Sequence, residues 1–412
     1  MQLDKKRIAS DCNLAVNGGK PIRDTWLPYG RQTISKADVE KVVSTLTSDY
    51  LTQGPVIPEF ESLVADYVGV KFAVAISNGT AALHAAYHAL GIGVGDLIIT
   101  SPLTFAATSN AAVYLGARPL FADIAPSTGL IEVESIRKLL KRSDKKHIKA
   151  IVAIDFAGQP CRYRELEELA NEAGIPLVID AAHSLGSRYA GNKGGFAGAI
   201  STFSFHPVKS ITTGEGGMVL TNDRKLYDSV VLFRSHGIQK GRDRLLKDEG
   251  PWWHEMQELG FNYRMTEIQA ALGLSQMASL DSFVERRAHI AATYRQKLAE
   301  NHYYECLDLL PDSHSAHHLF PILVKEQPFA ENRKLLFEAL HAENIGVQVH
   351  YIPTYKMPFY QELLNENWQQ QCPNTEEFYA REISLPIFPA MTDGDIDTVV
   401  TALNKIAKTF WR

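Results

Sequence analysis

Cysteine is scarce in this chain. Four residues, Cys12, Cys161, Cys306 and Cys372, are too few and too scattered for a disulfide framework or a cysteine-based zinc site. Long apolar runs are missing too: no stretch approaches the roughly 18 residues of a membrane span. The N-terminal MQLDKKRIAS lacks the apolar core of a signal peptide. Charge of one sign is concentrated nowhere, since 42 basic and 47 acidic side chains leave a formal charge of −5, which argues against a nucleic-acid footprint. No internal repeat and no Pro- or Ser-rich linker interrupts the sequence. These absences lead to the expectation of a protein of a reducing compartment, the cytoplasm, with no metal site and with neither membrane nor nucleic acid as partner.

What is present is ordinary globular composition, 412 residues with 45% hydrophobic and 22% charged, enough for two to three domains at about 150 residues each. Residues 1–30, rich in turn formers, read as an N-terminal arm. Helical spacing of apolar positions runs from Ser35 to Val68, broken by Gln53-Gly54-Pro55. Short apolar runs then recur: Phe72–Ile76, Leu97–Thr100, Pro119–Phe121, Ala150–Asp155, Leu177–Asp180, Ser201–Phe205 and Met218–Thr221. Helical stretches (Thr80–Leu90, Asn110–Leu115, Glu132–Leu140, Tyr163–Ala173) fill several of the gaps. This alternation predicts an α/β domain with a mostly parallel, buried sheet over residues 31–265. The last two runs lack a helix between them and fit a hairpin. For 266–412 the pattern predicts a connecting helix, Thr266 to Leu298, and a smaller α+β domain. Its expected strands are His318–Val324 and Gly346–Tyr351, around a helix from Ala330 to Glu343. A final helix starts at Thr392, which has Asp395 at capping-box spacing.

Six local patterns carry chemistry. In STFSFHPVKSITTGEGG, Lys209 stands just beyond a buried strand and five residues before a Gly-rich turn. A lysine held in a cleft there loses hydration and becomes nucleophilic toward an aldehyde, as a Schiff base requires; a solvated surface lysine fits the same position. Asp180 ends the apolar run LVID, at the strand end where open α/β sheets bind ligands. It suits a pyridinium N–H, or simply caps the next helix. His183 follows three residues on, as a pocket residue or a core histidine. Ser77-Asn78-Gly79-Thr80 opens a helix and reads as a phosphate cup or as a plain cap. Phe105, after the strand LIIT, is placed to lie on a planar ring or to fill core. Asn262 and Arg264 open the connecting helix, and His350-Tyr351 end an apolar alternation; ordinary caps and strand ends explain both equally well. Together, a phosphate cup, a stacking aromatic, a carboxylate and a lysine are the groups that hold pyridoxal 5′-phosphate.

The motifs SNGTAAL, VIDAAHSLG, SFHPVKSITTGEGG and GFNYRMTEIQAALG resemble those of the DegT/DnrJ/EryC1/StrS sugar aminotransferases, over nearly the whole chain. The resemblance implies the aspartate-aminotransferase-like type I fold, pyridoxal 5′-phosphate as cofactor and L-glutamate as amino donor. SDYLTQGP, FRSHG, HHLFPILV, VQVHYIPTY and EISLP are similar to the members that serve pseudaminic acid synthesis. This narrower likeness implies amination at C4 of a UDP-linked 4-keto-6-deoxy-2-acetamido sugar. Carried over by motif, Lys209 joins the cofactor and shuttles the proton, and Asp180 pairs with the ring nitrogen. Phe105 stacks on the ring, and Gly79, Thr80 and Ser204 bind the phosphate. Asn262 reaches in from a partner subunit, which implies a homodimer with shared active sites. Tyr29, Asp49, Tyr50, Leu51, Thr52, His350, Tyr351, Ile352 and Pro353 surround the nucleotide sugar. Lysine at 209, where some members carry histidine, speaks against the sugar-dehydrating branch. Two other readings remain: a transaminase for a UDP-4-keto-pentose or dTDP-keto-hexose, and a cofactor-binding regulator without turnover.

Overall fold

The computed structural model describes residues 14–142, 144–239, 241 and 245–411; Cys12 and the first thirteen residues of the expected arm lie outside them. A 3-10 turn at Ala15–Asn17 precedes two helices, α1 (Lys36–Leu46) and α2 (Val56–Val68). Alternation follows as β1 (Phe72–Ile76), α3 (Gly79–Ala89), β2 (Leu97–Thr100), α4 (Ala107–Tyr114), β3 (Arg118–Phe121), α5 (Val133–Leu139), β4 (Ile148–Ile154), α6 (Tyr163–Ala173) and β5 (Leu177–Asp180). Two short strands, β6 (Arg188–Tyr189) and β7 (Asn192–Lys193), precede β8 (Ile200–Ser204), β9 (Gly217–Thr221) and α7 (Arg224–Phe233). A small ribbon, β10 (Ile238–Gln239) with β11 (Glu255–Met256), leads into α8 (Glu267–Met277) and α9 (Leu280–Leu298). The remainder is β12 (Tyr304–Cys306), β13 (Ser313–His314), β14 (Phe320–Val324), α10 (Phe329–Ala342), α11 (Pro358–Leu363), α12 (Trp368–Gln371), α13 (Pro373–Arg381), β15 (Glu382–Leu385) and α14 (Asp393–Phe410).

The main sheet has seven strands in the order β1-β9-β8-β5-β4-β2-β3. Pairing is parallel from β3 through β2, β4 and β5 to β8, and β9 runs antiparallel to both its neighbours. The expected hairpin of β8 and β9 is therefore present. Strands β2, β5 and β9 are buried at every position, because helices cover both faces; this is why they read as continuous apolar runs. Helices return the chain between β1 and β5, and the β6–β7 segment does so between β5 and β8, so the C-terminal ends of β1, β2, β4, β5 and β8 share one edge of the sheet.

Two expectations need correction. The connecting helix is two helices, turning at Ala278-Ser279. The polar pair at 275–276 faces another helix: Gln276 donates through Nε2 to Asp38 Oδ2 at 2.7 Å and to Thr33 O at 3.0 Å. That bond keeps α8 against α1, and α9 departs toward the second core. Gly346–Tyr351 is not a strand. One bridge, Gln348 to Ser384, joins it to β15, and then the Glu382 carboxylate takes the His350 N–H at 2.7 Å, which ends the ladder.

The C-terminal core gathers Ile290 and Tyr294 of α9, Ile322 of β14, Leu340 of α10 and Leu403 of α14. Leu14 and Leu27 belong to the same cluster, so residues 14–30 pack as part of this body. Leu27 donates to Asn344 O and accepts from Gly346 N–H. The buried Glu343 carboxylate accepts from Ala15 N–H at 3.1 Å and Ile22 N–H at 2.7 Å and pairs with Lys405 Nζ at 2.8 Å. Glu343→Ala is expected to cost about 2–3 kcal/mol, because two backbone donors lose their acceptor. A lowered denaturation midpoint, with early proteolysis near residue 20, checks this.

Candidate active site

The edge formed by the strand ends is where the polar residues of the main sheet collect. Asp180 closes β5 with 5% of its surface exposed. Its Oδ2 accepts from Thr108 Oγ1 at 2.7 Å, and its Oδ1 from Ala182 N–H at 3.2 Å. Thr104 Oγ1 backs Thr108 at 2.8 Å, one helical turn away at the start of α4. Burial pushes the Asp180 carboxyl up, opposed by the two hydrogen bonds and by the charge of Lys209. Lys209 follows β8 on the loop that ends in the β9 turn. Part of its side chain reaches the surface, yet desolvation pulls the amine down to about 7, against the pull of Asp180. The ladder places Thr202 of β8 opposite Asp180, so lysine and carboxylate come from adjacent strands.

A second group faces them. Lys209 Nζ lies 3.4 Å from His318 Nε2. The rings of His318 and His183 stand 4.3 Å apart, and His183 Nε2 meets Tyr351 Oη at 3.1 Å. Burial, reinforced by the nearby Lys209 charge, pushes both imidazoles well below the ordinary histidine value, so they are neutral. Tyr29 lies with its ring 5.6 Å from His350, and burial raises its phenol. Phe105 is 64% exposed and has its ring 6.4 Å from Tyr351. Ile352 is exposed; Pro353 is buried beside Thr354, which donates to Pro102 O at 3.1 Å. The VQVHYIPTY segment thus closes over the end of β2.

Gly79 opens α3 at the end of β1. The Asn78 side chain takes the Ala81 N–H at 2.8 Å, while the first N–H groups of the helix, at Gly79 and Thr80, have no acceptor within it. A Cβ on Gly79 would come within 2.9 Å of Ser204 Cβ, so the cup brings together residues 79, 80 and 204. Tyr263 O, next to Asn262, takes the Ser77 N–H at 2.8 Å just before the cup, whereas the stretch Asp49, Tyr50, Leu51 and Thr52 lies on a separate loop. Asn262 is exposed and bridges to Ser235. The other stretch forms an exposed loop, tied by Glu267 N–H to Leu51 O at 3.0 Å. No hydrogen bond or ring contact joins either to Lys209, Asp180 or His183 among the described residues.

Three participants escaped the sequence reading. Thr108 looked like any residue of a helix start, although its spacing of four from Thr104 was a usable sign. His318 stood inside an expected strand, which in fact begins at Phe320. Arg287 lay in a polar helix. Its guanidinium is 1% exposed and donates to Ile387 O (2.8 Å), His317 O (3.3 Å), His318 O (3.4 Å) and Val208 O (3.3 Å). It fastens the residue before Lys209 to the residue that faces it.

The chain is similar to known proteins over almost its full length. The UDP-4-amino-4,6-dideoxy-N-acetyl-beta-L-altrosamine transaminase of Campylobacter jejuni (strain 81-176) is 39% identical over 388 residues, covering 93% of this chain and 99% of the relative. Among solved structures, Helicobacter pylori PseC, an aminotransferase involved in the biosynthesis of pseudoaminic acid, superposes with a TM-score of 0.85 at 35% identity, covering 94% of this chain and 99% of that one. The PLP-form of the sugar aminotransferase Spr1654 from Streptococcus pneumoniae gives a TM-score of 0.86 at 25% identity, covering 94% and 100%. Residues 32–404 match the profile of one family throughout, and with the lysine–aspartate pair at the sheet edge the conclusion is direct: the chain belongs to the DegT/DnrJ/EryC1/StrS aminotransferase family.

Proposed function

We propose that this protein binds pyridoxal 5′-phosphate and transfers the amino group of L-glutamate to C4 of a UDP-linked 4-keto-6-deoxy-2-acetamido sugar, in the cytoplasm. The observation that carries the reading is the desolvated Lys209 amine, facing neutral His318 and next to a strand that ends in buried Asp180. The substrate is supported by the 39% identical Campylobacter relative and its printed name.

The residues present fit the cofactor. Asp180 has no ion-pair partner within hydrogen-bond distance among the described residues, and its bonds come from a hydroxyl and an amide. Thr202 Oγ1, His183 Nδ1 and His318 Nδ1 are buried without a partner, and such atoms call for a polar guest. The Gly79–Ser204 approach leaves no room for a side chain at the helix start, where a phosphate is favoured by the helix dipole. Thus Gly79, Thr80 and Ser204 would hold the phosphate, Asp180 the ring nitrogen, Phe105 and His183 the ring, and Lys209 the aldehyde carbon. When bound, the cofactor supplies an electron sink for the pair left behind as a C–H bond at nitrogen-bearing carbon breaks.

The rest falls to the chain. Asp180 places its carboxylate where a ring N–H keeps its proton. Lys209 Nζ accepts the proton from Cα of glutamate and in the second half delivers one to C4 of the sugar. Neutral His318, with its Nε2 at 3.4 Å from the amine, would accept from it between those steps in the Nδ1–H tautomer. Arg287 holds the loop carrying the lysine. The experiment that tests the reading is addition of glutamate to the reconstituted enzyme. The visible absorbance of bound cofactor should disappear with release of one 2-oxoglutarate per site, and absence of both would overturn it.

A homodimer with shared sites is part of this reading. No hydrogen bond or ring contact joins Asn262 to Lys209 within one chain among the described residues. In the segment that leads to it, Leu246 (88%), Trp252 (72%), Met256 (67%) and Leu259 (77%) are exposed, apolar side chains that suit a second copy. Mixing two inactive variants, Lys209→Ala and Asn262→Ala, should restore about a quarter of wild-type activity, because half the dimers are mixed and each mixed dimer has one intact site. No recovery after subunit exchange would mean that Asn262 serves its own chain.

A further inference from the structure

Glu382 and Ser384 lie two residues apart on β15, so their side chains share one face of the strand, the face turned to His350. Glu382 is fully buried. Its Oε2 accepts the His350 N–H at 2.7 Å, and its Oε1 is 2.6 Å from Ser384 Oγ. Ser384 Oγ is in turn 2.9 Å from His350 Nδ1. His350 therefore uses its backbone N–H and Nδ1 on this pair and keeps Nε2 open among the described residues, on a ring that lies beside Tyr29.

Counting protons fixes what Nε2 can do. The Ser384 hydroxyl has one hydrogen to give, either to Glu382 or to His350. An ionised Glu382 would claim it, Nδ1 would have to carry the ring hydrogen, and Nε2 would be an acceptor. A protonated Glu382 reverses the chain: carboxyl to hydroxyl, hydroxyl to Nδ1, with the ring hydrogen left on Nε2. The carboxyl has no ion-pair partner among the described residues; Arg333 acts on it only from a distance and donates to Tyr379 O. A buried unpaired carboxylate is costly, and burial pushes this carboxyl up to about 8. The ring itself is uncharged, its value pulled down to about 3 by burial.

We propose that Glu382, acting through Ser384, locks His350 in the Nε2–H tautomer and thereby makes it a hydrogen-bond donor to an oxygen of the nucleotide sugar. The inference deepens the substrate reading above and rests on it. Glu382 and Ser384 are positioning residues; only His350 touches the substrate.

Ser384→Ala and Glu382→Gln test it in the reconstituted enzyme, with glutamate and the UDP-linked keto sugar varied separately. Ser384→Ala breaks the relay and should raise KM for the keto sugar about tenfold, the loss of one oriented hydrogen bond. KM for glutamate and the cofactor absorbance should stay unchanged. Glu382→Gln should keep KM for the sugar near wild type, because its amide donates where the protonated carboxyl does. An unchanged sugar KM in Ser384→Ala, or a Glu382→Gln enzyme as impaired as Ser384→Ala, overturns the proposal. A parent enzyme that reacts with glutamate but never with the keto sugar overturns the substrate reading first, and the tautomer assignment with it.

Discussion

Replacing Lys209 by alanine should lower kcat by about 10³-fold or more, since the proposed function has one amine attack the aldehyde and move the proton in each half-reaction. The fold should survive: among the described residues the Lys209 amine makes no ion pair, and it hydrogen bonds only to His318. Pyridoxal phosphate should still be retained by the cup and Asp180, without covalent attachment. The pH dependence gives a finer check on the parent protein. Attack requires the neutral amine, and burial pulls its value down to about 7. Covalent attachment of added cofactor should therefore accelerate as pH rises toward about 7 and level off above it. An exposed lysine would go on accelerating to about pH 10. A full-activity Lys209→Ala enzyme, or an attachment rate still climbing at pH 9, would contradict the assignment.

The second large effect is expected at Asp180. Asparagine keeps the shape and can still accept from Thr108, whose hydroxyl stands 2.7 Å from Oδ2. It removes the negative charge that, in the proposed reading, would keep the ring nitrogen protonated. A drop in kcat of about 10²–10³-fold is expected, the scale of losing a preorganised electrostatic partner in a dry site. Loss of cofactor affinity should be smaller, because the phosphate contacts are untouched. Single-turnover reaction with glutamate separates the two: the slowed step should be removal of the Cα proton at saturating cofactor. An Asp180→Asn enzyme that binds weakly but reacts at the parent rate would reduce Asp180 to a binding group.

The main sheet was legible because its strands are short, largely apolar runs, buried throughout in β2, β5 and β9, and such runs stand out without any tertiary knowledge. Asp180 and Lys209 were legible as candidates for a related reason: a polar residue that ends such a run, or stands on the loop just beyond it, is brought to the ligand edge by topology. The residues that orient them were not. Arg287 differs in no local respect from its neighbour Arg286; its burial follows from α9 crossing between the two cores. His318 faces Lys209 because Leu319 N–H bonds Ala157 O and Ala316 N–H bonds Gly158 O, contacts between segments about 160 residues apart in the chain. Gly346–Tyr351 alternates like a strand, but a side-chain carboxylate supplies the acceptor that a neighbouring strand would have given. Residues 14–30 read as an arm because turn formers dominate them. Leu14 and Leu27, the two side chains that anchor them, are too far apart to make a period.

The sugar that accepts the amino group is the most direct test of the proposed function. UDP-GlcNAc would be passed through an inverting 4,6-dehydratase in one reaction and a retaining one in another, and the enzyme added to both with glutamate. NMR must read the products, because the two keto sugars have equal mass. The account predicts a 4-amino product from the inverted sugar alone. Conversion of the retained sugar alone would contradict the proposed substrate while keeping the transaminase. Failure with both, in an enzyme that still consumes glutamate, would move the acceptor to another class of nucleotide sugar.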